Sequence, residues 1–374
     1  MNSGNVWTIN KGVEKRAGRV KSTLLAACAV AGLGLPGANA LAQAVVVNCP
    51  GDSIQAVLNL APPAIKGGTM TINGTCTEDV LVTLDNATFA GGAAAVIRGT
   101  ITIDGARRVV LQNLSVTGSG NGVVVTGNGT ATVRDSIIGR NNDNGIVVKD
   151  GAQADILNNQ IVQNGQNASD PGQGPGISVY DGGNARVVGN SINDNLSYGV
   201  EVFEGGLVRL ETNTIMRNGH SDLGGSGVGV WRARVRANGN VYQDNGYAAI
   251  EAENDGSYRT GMWLHQDGKL DNPFGFETIT AGTGQVAVTI TRSSHVDLRQ
   301  VIVQGAILIS NDSLLQARGD HVGPNTQCSE VDDVTASGVN STIKLSTHTR
   351  VNGVVTADSN QGNRVAENSG CPLP

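Results

Sequence analysis

Three aromatic residues stand at matching positions of a repeat in this 374-residue sequence. The positions four residues after five repeated glycines hold Thr126, Lys149, Tyr180, Phe203 and Trp231. Aromatic residues make up only 3% of the chain, so three of them in one row predict a surface for a ligand. Exposed aromatic rings stack on the apolar faces of sugars, and an exposed apolar patch generally marks a partner. Aromatic stacking that only stiffens a sheet is the alternative interpretation.

Acidic residues accompany this row and suggest acid–base chemistry. Asp181 and Glu204 each follow an aromatic residue, Arg232 follows the third, and Glu201 precedes Phe203 by two residues. Paired carboxylates serve as acid and base, or as nucleophile and acid, in glycoside hydrolysis. We therefore take Asp181, Glu201, Glu204 and Arg232 as candidate catalytic residues. The alternative for Asp181 and Glu204 is that they are simply turn residues before glycine.

Two other kinds of site fit the same residues. Carboxylates can hold Ca²⁺ between a protein and an acidic sugar, so Ca²⁺ is a possible ligand, although the sequence requires no cofactor. A lyase needs a base and a cation that neutralises the uronate carboxylate, and Lys149, Arg232 and Arg234 are the candidates. His220 is the histidine nearest the row. The candidate substrate-binding residues are Tyr180, Phe203, Trp231, Lys149 and His220.

A second row is rich in arginine. It contains Thr132, Asp155, Arg186, Arg209 and Arg234, with Arg134 and Arg236 nearby. Stacked arginines repel one another unless they are neutralised. Pairing with Asp155 and Glu211 is the favoured interpretation, and binding of a carboxylated or sulfated sugar is the alternative.

The elements that position these rows are short strands of a repeat. The opening glycines of Gly122-Val-Val-Val and its four counterparts are 23, 31, 23 and 28 residues apart. A second series ends at Ile138, Ile161, Ile192 and Ile215, spaced by 23, 31 and 23 residues. Apolar residues alternate within each unit, and Gly, Asn and Asp fill the turns. This periodicity predicts an all-β, single-stranded parallel β-helix of roughly 23 residues per coil. A ladder of Asn159, Asn190 and Asn213 is a further possibility.

Two insertions fall at one corner of the predicted coil. Ile161 and Gly176 are 15 residues apart and Ile215 and Gly227 are 12 apart, whereas the corresponding separation elsewhere is 7. Both insertions precede a strand that carries an aromatic residue. Since insertions in a solenoid often lie on the binding face, these loops are candidate walls of a groove.

The N-terminus has the features of an export signal. Five basic residues precede the short apolar run Leu24–Leu35, which is followed by an Ala40-Leu41-Ala42 cleavage pattern. This run is too short to span a membrane. Cys28 also fits a lipoprotein box. Cleavage after Ala42 leaves 21 basic and 31 acidic residues, a balance that argues against nucleic acid as a partner. We expect a secreted protein, located in the periplasm, at the cell surface or outside the cell.

Four cysteines remain after the signal, in one cluster near each end. Cys49–Cys76 with Cys328–Cys371 is the favoured one of three pairings, because a solenoid keeps its ends far apart. A helix over Asp52–Ala61 is expected to cover the N-terminal end of the core. The predicted organisation is a signal peptide at 1–42, a cap at 43–90 and a β-helix at 91–374 with irregular C-terminal coils.

The repeats resemble a known superfamily. The G-[IV]-x-V units, N-x-I strands and N-x-x-G turns of residues 109–250 resemble the right-handed parallel β-helix proteins of the pectate-lyase-like superfamily. The segment from Cys49-Pro-Gly-Asp-Ser-Ile-Gln to Thr71-Ile-Asn-Gly-Thr-Cys76 looks like the N-terminal cap of its secreted bacterial members. That superfamily includes polysaccharide lyases, hydrolases, epimerases, tailspikes and non-catalytic surface proteins, so the resemblance implies the fold more than the reaction. Its pectate-lyase and alginate-epimerase motifs are absent from the sequence.

Two hypotheses follow for the function. The first is a secreted β-helix that binds an extracellular polysaccharide or cell-surface glycan on the aromatic and acidic groove, and that could cleave it as a lyase or hydrolase. The second is a non-catalytic surface or adhesion protein in which the β-helix is a structural spacer.

Overall fold

The computed structural model describes residues 45–60, 67–118, 120–166, 174–219, 224–260, 263–264, 270–271, 277–318, 329–345, 349–358 and 362–367. The predicted signal at 1–42, His220, Cys328 and Cys371 lie outside these ranges. No helix in the described ranges is long and apolar enough to cross a membrane.

Three long parallel sheets run the length of the described chain, and each full coil adds one strand to each sheet. The strands of sheet 1 are Val45–Asn48, Thr69–Asn73, Thr88–Gly91, Val109–Gln112, Thr130–Arg134, Gln153–Leu157, Asn184–Val188, Leu207–Glu211, Arg234–Asn238, Ser257–Thr260, His295–Arg299, Leu314–Arg318, Thr342–Leu345 and Arg364–Glu367.

Sheets 2 and 3 have 12 strands each. Those of sheet 2 are Thr75–Cys76, Val96–Arg98, Ser115–Gly118, Ile137–Asn141, Gln160–Val162, Ser191–Asn193, Thr214–Met216, Val241–Gln243, Glu277–Thr280, Val301–Gln304, Ser329–Val331 and Thr349–Val351. Those of sheet 3 are Val80–Val82, Ile101–Asp104, Val123–Thr126, Ile146–Val148, Ile177–Val179, Val200–Phe203, Val228–Trp231, Ala248–Glu253, Val286–Ile290, Ile307–Ser310, Val334–Ser337 and Val355–Ala357. A separate antiparallel pair joins Trp263–Leu264 to Leu270–Asp271.

This strand order confirms the predicted parallel β-helix. Each strand pairs in parallel with the strands one coil before and one coil after it, as Ile146–Val148 does with Val123–Val125 and Ile177–Val179. The alternating apolar residues therefore stack inward, and Ile156, Val187 and Leu210 are fully buried in adjacent coils. The core is narrow and aliphatic because it is built from these stacked rows.

The predicted asparagine ladder is present and is longer than expected. The side-chain amide of Asn159 donates to Oδ1 of Asn190 at 3.0 Å, and the chain of bonds continues through Asn213 to Asn240. The sequence analysis missed a second asparagine ladder. Each of its members lies three residues after a buried residue of a sheet 2 strand, as Asn141 does after Ile138. It comprises Asn141, Asn164, Asn195, Asn218 and Asn245, linked by bonds of 2.8–3.0 Å. These amides satisfy backbone groups that the turns leave unpaired.

The second ladder explains the repeated glycine. A Cβ on Gly145 would lie 2.7 Å from Nδ2 of Asn164 and 2.5 Å from the carbonyl oxygen of Gly176. Only a residue without a side chain fits at this position below the ladder. The glycine period that defines the repeat is therefore a packing requirement of its asparagine corner.

The N-terminal end has the predicted helix and disulfide. The helix α1 spans Ile54–Leu60 and buries Ile54 and Leu58. Glu78 holds its first turn, because its carboxylate accepts hydrogen bonds from the backbone amides of Ile54 and Gln55 at 2.7 and 3.2 Å. A carboxylate is stabilised at this position by the unpaired amides of a helix start. The predicted Cys49–Cys76 bridge is confirmed, whereas the second predicted bridge lies outside the described residues.

Candidate functional site

The aromatic row lies on the outer face of sheet 3, and the strand register aligns it as the sequence spacing predicts. Phe203 pairs directly with Trp231, and Tyr180 and Phe203 stack with ring centroids 4.6 Å apart and planes 13° apart. Lys149 continues the row, with Nζ 5.9 Å from the centroid of the Tyr180 ring. These side chains are half-buried and form one short platform across three coils.

Trp231 departs from this stack. Its ring lies over Gly229, where a Cβ would collide with the ring atoms Cη2 and Cζ3. The ring also meets the edge of Tyr198, with centroids 5.0 Å apart and planes 81° apart. Because Gly229 has no side chain, the ring of Trp231 fills the space above it. The aromatic row therefore consists of the Tyr180–Phe203 stack and, next to it, the indole of Trp231, which covers Gly229.

A carboxyl group lies on each side of this gap. Glu201 and Glu251 pair in register with Gly229 on the strands before and after it. Glu201 is only 9% exposed and Glu251 only 7% exposed. Successive strands are about 4.8 Å apart, so the two backbones that carry the carboxyls are about 9.6 Å apart. The sheet therefore presents two buried acids, separated by one residue without a side chain and covered by an indole.

Burial changes the protonation of both acids. It raises the pKa of Glu201 to about 7, against the opposing hydrogen bond that the hydroxyl of Ser178 donates at 3.1 Å. Burial likewise raises the pKa of Glu251 to about 7, although the Ser226 hydroxyl donates to this carboxylate at 2.8 Å. Tyr198 also hydrogen-bonds to Glu251, and burial raises the pKa of its phenol. Both carboxyls can therefore exchange protons near neutral pH.

Glu251 is the functional candidate that the sequence analysis missed. Its coil has Ala249 where the five repeat units have the opening glycine and Ala252 where they have valine, so the G-[IV]-x-V pattern does not match there. The signal that could have found it is the alternation Ala249-Ile250-Glu251-Ala252, which retains the apolar–polar order. An acid at the middle position repeats Glu201 of the strand Val200–Phe203.

On the next coil, the outward row that holds Glu201, Gly229 and Glu251 has a buried hydroxyl. Thr289 pairs in register with Glu251, is 3% exposed, and its Oγ1 has no hydrogen-bond partner among the described residues. A buried hydroxyl without a partner raises the free energy of the folded protein, and a bound polar ligand or water would relieve this.

The other predicted catalytic residues lie on turns at the edge of this sheet. Asp181, Glu204 and Arg232 have left-handed backbones with φ of 47°, 46° and 47°. Arg232 donates to Oε1 of Glu204 at 2.9 Å, and both side chains are well exposed. The structure thus joins Glu204 to Arg232 and places Asp181 on the preceding coil, and all three lie on turns, whereas Glu201 lies within a strand. Their turn positions match the alternative interpretation of the sequence.

The corner of the insertions borders a cleft of about 950 Å³ between sheets 2 and 3. Leu196 and the ion pair of Arg217 with Asp194, 2.8 Å between Nε and Oδ1, lie on its wall. Tyr198 lies two residues after Leu196 and hydrogen-bonds to Glu251, so it links the wall of the cleft to the carboxyl pair. His220 belongs to the same corner in sequence and lies outside the described residues.

One prediction about the arginine row is wrong. Arg236, and not Arg234, pairs in register with Arg209 on sheet 1, and Arg234 pairs with Leu207. The turn from Trp231 to the next strand is one residue shorter than the turn from Phe203, so Arg236 follows Trp231 by five residues where Arg209 follows Phe203 by six. The row therefore continues from Arg209 to Arg236 and Arg259.

Among the described residues, one cluster has metal-like spacing, namely Cys49, Cys76 and Glu78, and its cysteines form a disulfide. Glu201 and Glu251 are not part of that cluster.

The sequence matches the profile of a protein family described as "Right handed beta helix region". The match covers residues 68–170 and 99–262, which together exceed half of the chain. The chain belongs to the right-handed β-helix family. No curated protein has a significant sequence match to this β-helix.

Several solved structures resemble the β-helix at low identity. The A-module of a mannuronan C-5 epimerase from Azotobacter vinelandii is 16% identical, with 84% of this chain and 94% of that chain covered and a TM-score of 0.43. The catalytic unit of an α-1,3-glucanase from Streptomyces thermodiastaticus is 15% identical, with 92% and 73% covered and a TM-score of 0.43. A surface adhesin of Streptococcus pneumoniae is 11% identical, with 83% and 86% covered and a TM-score of 0.38. These scores carry no argument about the activity of this chain.

Proposed function

We propose that this protein is a secreted β-helix that binds an extracellular polysaccharide on the outer face of sheet 3 and hydrolyses it with Glu201 and Glu251. One observation carries the proposal. Two buried carboxyls with pKa values raised to about 7 flank Gly229, beside an aromatic stack and beneath Trp231. Acids that exchange protons near neutral pH suit the two halves of a glycosidic cleavage.

The hydrogen bonds favour different roles for the two acids. Glu251 accepts from Ser226 and interacts with Tyr198, whereas Glu201 accepts from Ser178 alone. Hydroxyl donors stabilise a carboxylate, so we assign the role of base to Glu251 and the role of acid to Glu201. In the proposed reaction Glu201 gives its proton to the glycosidic oxygen as the bond to the anomeric carbon breaks. Glu251 takes a proton from the water whose oxygen forms the new bond to that carbon.

The spacing favours inversion at the anomeric carbon. Carboxyls of inverting glycosidases are about 6.5–9.5 Å apart, which leaves room for a water, whereas retaining enzymes have about 5–5.5 Å. The backbones that carry the two carboxyls are two strand spacings, about 9.6 Å, apart, and side chains that leave them in parallel would have the wider carboxyl separation. Bound sugar would stack on Tyr180 and Phe203, and the ring of Trp231 would swing off Gly229 to admit the chain.

The test incubates the protein with neutral and uronate polysaccharides and measures new reducing ends, with ultraviolet absorbance as the readout for an unsaturated lyase product. We expect new reducing ends without an unsaturated product, and inverted anomeric configuration in the proton NMR spectrum. Glu201→Gln and Glu251→Gln should each lower the rate by a factor on the order of 10²–10⁴. Glu204→Gln is the matched control, because it removes an exposed carboxyl one residue past the same platform.

Three outcomes would overturn the proposal. An unsaturated product would make the protein a lyase. Loss of activity in Glu204→Gln with full activity in Glu251→Gln would move the chemistry to the turn residues. Absence of turnover, together with no loss of binding in a Tyr180/Phe203/Trp231 triple alanine variant, would favour the adhesion or spacer function. Binding of Ca²⁺ is tested separately, by measuring the rate of hydrolysis in the same assay with a chelator added.

A further inference from the structure

The outer face of sheet 3 is acidic. Its surface comprises the outward positions along the described strands from Val123 to Ser310 and the left-handed turn residues that follow these strands. The cations at these positions are Lys149, Arg232 and Arg292, and the carboxyls are Asp150, Asp181, Glu201, Glu204, Glu251, Glu253 and Asp255. Carboxyls therefore exceed cations by four, and still by two when Glu201 and Glu251 hold their protons.

Each of these three cations already has a carboxylate beside it. The pairs are Lys149 with Asp150 at 3.5 Å, Arg232 with Glu204 at 2.9 Å and Arg292 with Glu253 at 3.2 Å. On the wall of the neighbouring cleft, Arg217 donates two hydrogen bonds of 2.8 Å to the carboxylate of Asp194. A sugar carboxylate could bind one of these cations only by displacing a carboxylate of the protein. The described face therefore offers a polymer of uronic acid no net gain in ion pairs.

Uncharged polar atoms without partners lie on the coil after Glu251. Oγ1 of Thr289, Oγ1 of Thr291 and Oε1 of Gln285 are buried and have no hydrogen-bond partner among the described residues. Thr289 pairs in register with Glu251, and Gln285 lines the cleft of about 950 Å³. The hydroxyl groups of a neutral sugar can donate to such atoms, and accept from the threonine hydroxyls. Because these atoms carry no charge, they suit a sugar hydroxyl and cannot balance the charge of a carboxylate.

The aromatic stack and the unpaired hydroxyl lie at opposite ends of the carboxyl pair. Tyr180 lies one coil before Glu201, and Thr289 lies one coil after Glu251. The strands that carry Tyr180 and Thr289 are four spacings, about 19 Å, apart along the axis. A polymer that follows this axis would place the apolar face of one sugar on the aromatic stack and the hydroxyls of another on Thr289. Both contacts are made to uncharged parts of a sugar.

We propose that this face selects a neutral, hydroxyl-rich polysaccharide and discriminates against polymers of uronic acid. This selectivity rests on the proposed function, since it names the substrate class of the same site. Aromatic rings and hydroxyls bind the uncharged sugar, whereas each carboxylate of a polyuronate would approach a surface with excess negative charge. The repulsion between like charges is strongest where water is excluded, as it is beside the buried Glu201 and Glu251.

The test compares matched polymers that differ only in charge. The 1,4-linked glucan, galactan and mannan are each used as the neutral polymer and as its C6-carboxylate. Binding to the full chain is measured by affinity electrophoresis, and turnover is measured separately as new reducing ends. We expect at least one neutral polymer to bind, more tightly than its carboxylate by about 10-fold or more at low salt. The difference should narrow as salt rises, because salt screens the repulsion.

A double variant tests the part that charge plays. Glu204→Gln/Glu253→Gln releases the two arginines from their partners, so it should bind the carboxylate polymer about 3- to 10-fold more tightly than the unsubstituted protein does. The matched control is Asp135→Asn/Glu330→Gln, which removes two ion-paired acids from elsewhere on the β-helix. It should change the affinity by less than about 2-fold, because these acids are distant and screened.

A single variant tests the unpaired hydroxyl. Thr289→Val keeps the shape of the side chain and should weaken binding of the neutral polymer by about 2- to 10-fold, while the free energy of unfolding stays the same or rises. A hydroxyl with only a structural role would not give this combination. The control is Thr335→Val, two coils further along the same outward row, which should change the affinity by less than about 2-fold. Circular dichroism melting checks that all four variants are folded.

Equal or tighter binding of the carboxylate member in every matched pair would overturn the proposal, and so would binding of neither member of any pair. An equal effect in each variant and its control would also overturn it. Failure of the hydrolysis proposal gives a different result. Binding of a neutral polymer without turnover would reject hydrolysis and retain the selectivity, whereas turnover by Glu201 and Glu251 that prefers a carboxylate polymer would retain hydrolysis and reject the selectivity.

Discussion

Two regions of this β-helix contain carboxyls whose pKa burial raises to the same value, about 7, yet their surroundings differ. Glu277 faces the interior of the coil, and Glu201 and Glu251 face outward from sheet 3. Glu277 stands where the next asparagine of the first ladder would be, two residues before the inward Ile279. The outer pair stands beside Gly229, where there is no side chain.

The partners of the interior acid are complete. The hydroxyl of Tyr258 donates to Glu277 Oε1 at 2.7 Å, and Tyr242 bonds to Tyr258 at 2.7 Å. The amide of Asn240 donates at 3.4 Å. In the outer row Thr289 has no partner among the described residues and an indole covers the gap. A raised pKa therefore does not distinguish a structural acid from a reactive one. A polar group without a partner, beside a space that a side chain can uncover, does distinguish them.

The largest expected effect is on the interior acid. Glu277→Ala leaves the amide of Asn240 and the hydroxyl of Tyr258 without an acceptor and creates a cavity. The free energy of unfolding should fall by about 3–5 kcal/mol, which denaturant titration measures. The rate of hydrolysis per folded molecule should be unchanged, because Glu277 does not face sheet 3.

The control for this variant is Glu277→Gln, which keeps the volume and an acceptor oxygen. It should lose less than half as much stability as the alanine variant. If Glu277→Ala abolished hydrolysis at full stability, the distinction between the two regions would be wrong.

The sequence predicts the features that recur in every coil better than those that a single coil carries. The period of glycine and isoleucine predicts the coil, the three-residue asparagine ladder and the aromatic register, because each depends on one position that recurs. Glu277 breaks the ladder with a different residue, and Glu251 lies in a coil whose glycine is alanine, so neither follows from the period. The rotation of Trp231 over Gly229 could not be predicted either, since it depends on the empty space that three neighbouring strands leave together.

A second effect is the dependence of stability on pH. The folded pKa of about 7 for Glu201 and Glu277 lies above the usual 4.5, so the folded state holds these protons more tightly than the unfolded state. Stability is therefore greatest below pH 4.5 for these groups and is lost as pH rises through 7. Each carboxyl accounts for on the order of 3 kcal/mol over this range. Glu201→Gln lacks this loss, so its free energy of unfolding relative to the unsubstituted protein should increase by about this amount between pH 5 and pH 8.

Denaturant titrations at the two pH values make this measurement. Glu204→Gln is the control, because it removes an exposed carboxyl three residues after Glu201. An equal dependence in Glu204→Gln and Glu201→Gln would mean that Glu201 does not titrate as its burial implies.

The smallest effect concerns the cover that separates the outer pair from solvent. In Gly229→Ala the new Cβ would meet the ring of Trp231 and lie 2.9 Å from Cδ1 of Tyr198, so the ring must move. The displacement should cost about 1 kcal/mol of stability. It should also lower the pKa of Glu201 and Glu251, because water would reach both carboxyls, and carbon-13 NMR of the carboxyl groups reports that change. In a Trp231→Ala background the same substitution should have no further effect on either pKa. An unchanged pKa in Gly229→Ala would show that the indole does not keep water from the pair, and the outer acids would then resemble Glu277 in being buried by the coil itself.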